Sequence, residues 1–384
     1  MQSADVVVIG GGVIGTATAY FLAKNGKSVV LVEAEDLAAG ATGAASGVVS
    51  LLTKDPGDYL RLARESVALF PQLIDELGTD FEWHRTGATV FADDEEQMQH
   101  LEGMADAYRA CGVPVEMLDE AGLRALEPSI GPGFHGAIHY PNDHALDPFR
   151  LTQAYARGAR RLGARCLLHT RAIDITVRGG RVVAVVTTAG EIGTERVVIA
   201  CGLNTPEMSR LVGADVRVIP RRGQVLITEM TPHRINTALF SAGMLLAKHL
   251  YGSGPGPVVR GVSVKETLHN RILIGTTYEF VGYNKRVAGD LAQALALRTR
   301  RAFPFMGNLS LMRTWAGLRP HPEAGRPTVG LSPGVEGCII SVGHSGDGLA
   351  MSAITGKYTN ALVDGNADQF ELASQVFLKP GPMH

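Results

Sequence analysis

Two short apolar runs near the N-terminus, Val6-Val-Val-Ile9 and Val29-Val-Leu-Val32, lack the alternation of a half-solvated strand. Unbroken runs of this length predict strands buried on both faces, as in a parallel sheet covered by helices. At the exit of the first, Gly10, Gly12 and Gly15 fit Gly-x-Gly-x-x-Gly, and a helix is predicted over Thr16–Lys24. The three glycines permit, in turn, a tight turn, close approach of backbone to a pyrophosphate, and close packing of helix on strand. The helix N-terminus offers that pyrophosphate free N–H groups and a positive dipole end. The second strand ends at Glu33, whose carboxylate can accept from both ribose hydroxyls. Strand, glycines, helix, strand and acid in one unit predict a dinucleotide site.

The segment Ala38-Ala-Gly-Ala-Thr-Gly-Ala-Ala-Ser-Gly47 is mostly alanine and glycine, so it packs little surface of its own and lets something flat lie against backbone. Helix spacing runs over 58–77 with Pro71 as a kink or break, and again over 95–111. Short strands are expected over 81–92 around Gly87. Asp147 reads as the N-cap and Pro148 as the first turn of a helix reaching Leu162. Strands follow at 166–168, 172–177 and 181–187, with Gly179-Gly180 as a hairpin turn. The run Arg196–Gly202 suggests a return to the first sheet. Strand candidates at 216–219, 224–228, 258–264 and 271–275 suit an antiparallel second layer, with a helix over 291–303. A strand over 335–342 and a helix over 349–363 restore α/β character.

Composition narrows the class. The chain has 384 residues, 45% hydrophobic and 19% charged, enough for two domains with large cores. A net charge of −2 gives no basic field for nucleic acid, so no nucleic-acid partner is expected. No apolar stretch reaches the length of a membrane span, and the first apolar run lacks a preceding basic region. A soluble cytoplasmic protein is the expectation. Cys111, Cys166, Cys201 and Cys338 form no Cys-x-x-Cys pair, and the last three lie in apolar strand-like runs as inert buried thiols. His135, His139 and His144 fit no helix face and no fixed carboxylate partner, so no metal site is expected.

Three C-terminal motifs carry a resemblance: Trp315-Ala-Gly-Leu-Arg-Pro320, Gly325-Arg-Pro-Thr-Val-Gly330 and Gly343-His-Ser-Gly-Asp-Gly-Leu349. With the N-terminal unit, Arg222-Gly-Gln224 and the stretch Ile274–Tyr283, the chain resembles the D-amino-acid-oxidase-like flavoprotein family. Within it the chain is most similar to glycine oxidase and to flavin subunits of sarcosine, opine and hydroxyproline oxidising complexes and of hydrogen cyanide synthase. The resemblance implies FAD as cofactor. It places Val13 and Ile14 at the pyrophosphate, and Glu33 and Ala34 at the adenosine ribose. Ala41, Thr42, Ser46, Gly47 and Val48 line the pyrophosphate and isoalloxazine, and Ala172 meets adenine through its main chain. His344, Ser345, Gly346, Asp347, Gly348, Leu349 and Ala350 match the loop under the N1–C2=O edge of the flavin, where a helix N-terminus faces developing negative charge. Asp347 departs from the histidine or asparagine often found there, and is expected to point away or be paired. No cysteine lies beside Gly317, so FAD is expected to be non-covalent.

The resemblance also assigns chemistry. Arg319 takes the substrate carboxylate bidentately and is the expected catalytic residue. Arg222 and Tyr278 are further substrate-binding candidates. Arg221 competes with Arg222, because adjacent residues of a strand point to opposite faces, and Tyr283 is a candidate pocket residue. No aromatic occurs over Val259–Lys265, where glycine oxidase places pocket tyrosines, so a substrate larger than glycine is expected. The implied reaction is oxidation of an amino acid or N-substituted amino acid to an imine by hydride transfer to flavin N5. Three alternatives stay open. An NAD-dependent dehydrogenase would share the N-terminal unit, but the C-terminal loop argues against it. The others are a flavin subunit of a multi-subunit amino-acid, opine or hydroxyproline dehydrogenase that passes electrons to partner subunits, and a non-catalytic flavin-binding subunit.

The expected fold is α/β and α+β: a Rossmann-like FAD-binding domain over 1–82, 145–215 and 313–384, and a second, antiparallel-sheet substrate domain over 83–144 and 216–312.

Overall fold

A computed structural model describes residues 2–251 and 261–383. The two apolar runs are neighbouring parallel strands, Val6–Ile9 and Val29–Val32, in a six-stranded sheet. Across it the order is 165–167, 29–32, 6–9, 197–199, 338–342 and 328–331. All neighbours are parallel except the last pair. Strand 197–199 enters between 6–9 and 338–342, so the run beginning at Arg196 does return to the first sheet.

Unbroken hydrophobicity follows from cover on both faces. Val6, Val8, Val29 and Leu31 pack under helices that include Val13–Lys24, Pro148–Arg161 and Gly348–Asp364. Val7, Ile9, Val30 and Val32 meet Ile175, Val182, Val185 and Ile192 of a small sheet whose hairpin turns at Gly179 and Gly180. Both glycines have positive φ, as the two-residue turn requires. Helix Val13–Lys24 starts three residues before the expected Thr16, because Gly12 is its N-cap. Pro71 starts a new helix, Phe70–Leu77, after Asp58–Ala68 ends. Asp147 caps its helix as expected, accepting from the Arg150 N–H at 2.8 Å.

The second layer is an eight-stranded sheet in the order 311–322, 218–230, 271–275, 263–266, 238–241, 88–92, 136–140 and 116–119. The expected antiparallel character needs one correction: 238–241 runs parallel to 88–92. The candidates at 216–219 and 224–228 are one long strand, Val218–Met230. It pairs along its length with Leu311–Pro322, so residues 313–322, expected in the dinucleotide-binding part, add a strand to this sheet. The candidate over 258–264 begins at Ser263; its first three residues lie outside those described. Helix Ala242–Tyr251 falls outside the expected elements. Among the described residues no helix is long and apolar enough to cross a membrane, and no cluster of potential metal ligands occurs. His139 instead bonds Thr89, and His144 stacks on Trp83 with ring centroids 4.2 Å apart.

Gly15 shows how tightly the first helix sits: a Cβ there would stand 2.0 Å from the Gly10 carbonyl oxygen. Gly15→Ala is therefore expected to lower stability by about 1–3 kcal/mol, the usual range for overpacking. A urea midpoint unchanged from wild type, with FAD retained in full, would show that the helix can move aside at no cost.

Candidate active site

One cavity of about 2190 Å³ runs from the first strand exit to the face of the long antiparallel pair. It is about twice the upper range of ordinary small-molecule pockets, as a dinucleotide plus a substrate would need. At one end Gly10, with φ +117°, passes so close to Ala200 that a Cβ would meet its carbonyl oxygen at 2.5 Å. Glu33 accepts from the Gly11 N–H at 2.6 Å and from the Glu35 N–H at 2.8 Å. These bonds fix the carboxylate at the cavity wall. Ala34, Ala172 and the small-residue loop line the same end, and the Thr42 hydroxyl accepts from the Val13 N–H at 3.2 Å. Trp315 ties that loop to the second sheet by donating its indole N–H to Ala44 O at 3.1 Å.

Two helices begin at this cavity, Val13–Lys24 and Gly348–Asp364. Neither has a bond from its own N-cap side chain or an acidic residue in its first turn, although Thr42 takes the Val13 N–H and Asp347 is the N-cap residue of the second. Such N-termini leave N–H groups and positive potential for anionic groups. The cavity thus fits a group carrying a pyrophosphate at one end and acquiring negative charge at the other. His344, Ser345, Gly346, Asp347, Gly348 and Leu349 line it; Ala350 does not, and packs in the core beneath the helix. Gly15 likewise serves the strand–helix contact rather than the lining. Burial lowers the His344 pKa to about 4, outweighing the attraction of Asp347, so its ring is neutral while Nε2 meets the Thr355 hydroxyl at 3.0 Å.

The chemistry of the far end is set by strand register. Arg221 pairs directly with Arg319, and Gly223 with Gly317. Gly223 makes room for the Arg319 guanidinium, whose Nη1 would lie 2.0 Å from a Cβ at that position. Arg319 lines the cavity, its Nη2 donating to Thr276 Oγ1 at 2.9 Å and its buried Nη1 donating to nothing among the described residues. Arg221 also faces the cavity, with Nη2 donating to Ser345 Oγ at 2.9 Å. The Tyr278 ring meets both guanidinium groups, at 4.8 Å from Arg221 and 5.5 Å from Arg319.

Arg222 is a correction. It points to the opposite face, where it pairs with Glu279 and donates to Arg286 O at 2.7 Å. Gln224 and Thr277 complete that buried network by donating to Glu279 Oε1 at 2.8 and 2.6 Å. The Nη1 and Nη2 of Arg222 are committed to structure away from the cavity, while its Nε has no partner among the described residues. Tyr283 sits at the rim, 66% exposed. Cys201 is a further correction: it is half-buried at the cavity wall after its strand has ended, its thiol raised to about 11 by burial.

Asp347 is paired. Lys54, only 3% exposed, donates to Asp347 Oδ1 at 2.8 Å, and the Tyr59 hydroxyl to Oδ2 at 3.1 Å. Neither Lys54 nor Tyr59 belongs to a recognisable motif. Phe240, Met244 and Leu245 supply apolar wall, and no motif marks them either.

Residues 5–362 match the profile of the family described as FAD dependent oxidoreductase. The chain belongs to this family. Among its relatives, hydrogen cyanide synthase subunit HcnC of Pseudomonas protegens is 30% identical, the match covering 94% of this chain and 93% of that protein. Glycine oxidase of Bacillus licheniformis is 29% identical, with 94% and 93% covered. The crystal structure of glycine oxidase from Bacillus cereus superposes with a TM-score of 0.85 at 28% identity, over 97% of this chain and 98% of that one. The family's FAD dependence agrees with the dinucleotide-shaped cavity and its two helix N-termini.

The Lys54–Asp347 pair offers a test independent of turnover. Removing one partner of a buried pair leaves the other charge uncompensated, so each single change should cost more than the double change implies. A double-mutant cycle of Lys54→Met and Asp347→Asn, read by urea unfolding of the holoenzyme, is expected to give a coupling of about 1–3 kcal/mol. Additive effects would mean that the contact contributes nothing.

Proposed function

We propose that the protein oxidises an amino acid, or an N-substituted amino acid, at the carbon joining the amine to the carboxylate. The observation that carries this reading is Arg319: a cavity-facing guanidinium with one oriented bond to Thr276 and a buried N–H that has no partner among the described residues. Such a donor fits a carboxylate, which guanidinium binds in a planar, bidentate geometry. The relatives named glycine oxidase support an amino-acid substrate. Bound FAD supplies the hydride acceptor and is proposed to be held without a covalent link, through the linings from Gly10 to Val48 and from His344 to Leu349. Arg319 binds the carboxylate and so orients the reacting C–H bond. Thr276 fixes the guanidinium plane, and Tyr278 walls the site beneath it. The N-terminus of helix Gly348–Asp364 favours negative charge beside it, and neutral His344 adds no competing anion site. Chemistry of this kind asks for positioning and electrostatics more than a general base. A second reading, a flavin-bearing subunit that passes electrons to partner chains, is favoured by the relative named as a subunit of hydrogen cyanide synthase. Slow reoxidation of the reduced flavin by oxygen in the isolated chain would support it.

Arg319→Ala is expected to lower kcat/KM by a factor on the order of 10² or more, matching the roughly 2–5 kcal/mol typical of losing one partner of a buried charge pair. Arg319→Lys should recover little of it, since an ammonium cannot reproduce the bidentate fork. Anaerobic flavin bleaching against a panel of amines checks this: if Arg319→Ala bleaches as readily as wild type with every active amine, the anchor role is wrong. Acid denaturation followed by filtration should release all the flavin; yellow colour retained on the polypeptide would overturn non-covalent binding.

A further inference from the structure

The site holds more positive charge than one carboxylate requires. Arg221 and Arg319 stand opposite one another on adjacent antiparallel strands, where like charges repel. Both face the same cavity and the same Tyr278 ring. Each is fixed by a different hydroxyl on a different loop, Ser345 for Arg221 and Thr276 for Arg319. Each also keeps a buried N–H without a partner among the described residues, Nε of Arg221 and Nη1 of Arg319. Arg221 is 6% exposed, so bulk water does not serve it. The carboxylate that draws on both arginines, Asp347, is itself salt-bridged to Lys54. The Tyr59 hydroxyl donates to the other oxygen of Asp347, so among the described residues the two guanidinium groups are held by hydroxyls alone, and a ligand with two carboxylates can engage each of them where one carboxylate serves only one.

Resting on the oxidation proposed above, we propose that the substrate is a dicarboxylic amine, with Arg319 binding the carboxylate next to the reacting carbon and Arg221 binding the second. The second carboxylate can sit on the nitrogen substituent, as in an N-(carboxyalkyl) amino acid, or on the side chain, as in an acidic amino acid. The reaction balances in either case. A hydride leaves the α-carbon for bound FAD, the nitrogen loses its proton, and the lone pair forms the C=N bond. Water then adds and the C–N bond breaks, giving a 2-oxo acid and an amine. From an N-(carboxyalkyl) amino acid that amine is an amino acid; from an acidic amino acid it is ammonia.

The holoenzyme and Arg221→Gln are compared in two ways, after flavin content and far-UV circular dichroism show that both are folded. Redox-inert ligands are titrated first, oxydiacetate against methoxyacetate, following the flavin spectrum and thermal shift. Wild type is expected to bind the dicarboxylate at least about tenfold more tightly, the equivalent of one ordinary hydrogen-bonded charge contact, and Arg221→Gln to lose that preference. Anaerobic bleaching then compares iminodiacetate, both enantiomers of aspartate and glutamate, sarcosine, glycine and alanine. The ratio of kcat/KM for the best dicarboxylate to that for the best monocarboxylate should fall toward one in Arg221→Gln, and the identity of that dicarboxylate places the second group on nitrogen or side chain. Equal binding of both inert ligands by wild type would overturn the proposal. So would equal weakening of both by Arg221→Gln, which would mean two arginines sharing one carboxylate. A changed flavin potential with the preference intact would assign Arg221 to the cofactor and overturn it too. Preferential binding of oxydiacetate without bleaching by any amine would support the two-carboxylate site and sink the oxidation reading instead.

Discussion

The register between strand Val218–Met230 and strand Leu311–Pro322 decides what the cavity contains. Side chains alternate faces with a period of two, so a slip of one residue would exchange the two sets. In the observed register Arg221, Gly223, Gly317 and Arg319 share the cavity side, while Arg222 and Gln224 lie behind it on Glu279. The buried network behind the sheet secures that register. Glu279 gathers Arg222, Gln224 and Thr277, and its carboxyl is held below the usual range by those donors despite burial. A slip that brought Gly223 to the place of Arg222 would leave Glu279 without its arginine behind the sheet.

Glycine does the complementary work at both ends of the cavity. Gly10 and Gly15 let the first helix descend onto the first strand, so that its N-terminus opens on the cavity. Gly223 removes the side chain that Arg319 would otherwise strike, and Gly317 lets Ala44 of the small-residue loop approach the strand. One sheet therefore lines one end of the cavity and the other sheet the opposite end, joined by the tie from Trp315 to Ala44.

What can be read in the sequence is what rests on short-range pattern. The first thirty-odd residues announce strand, glycine turn, helix and acid, because each depends on neighbours a few positions apart. Asp147 with Pro148, Gly179 with Gly180, and the break at Pro71 are legible for the same reason. Arg319 is legible through a motif resemblance. Arg221 and Arg222 are not separable, since alternation says that one faces in without saying which; only pairing with a strand some ninety residues later settles it. Lys54 and Tyr59 are invisible because their partner, Asp347, lies almost three hundred residues away. The parallel pair 238–241 with 88–92 is hidden likewise.

The two arginines give the site its energetic logic. Burial lowers the Arg221 pKa to about 10, still well above neutral, and Arg319 pushes it the same way; burial lowers the Arg319 pKa too. The protein offsets their repulsion only in part, with two hydroxyls, one aromatic face and a carboxylate already engaged by Lys54. Groups left under-satisfied in a low-dielectric cavity interact more strongly with an incoming anion than the same groups would in water. The cost of burying two like charges is thus set against ligand binding rather than against folding alone. A site built this way prefers the ligand whose charge completes it, and that preference follows from the strand register with which the pair begins.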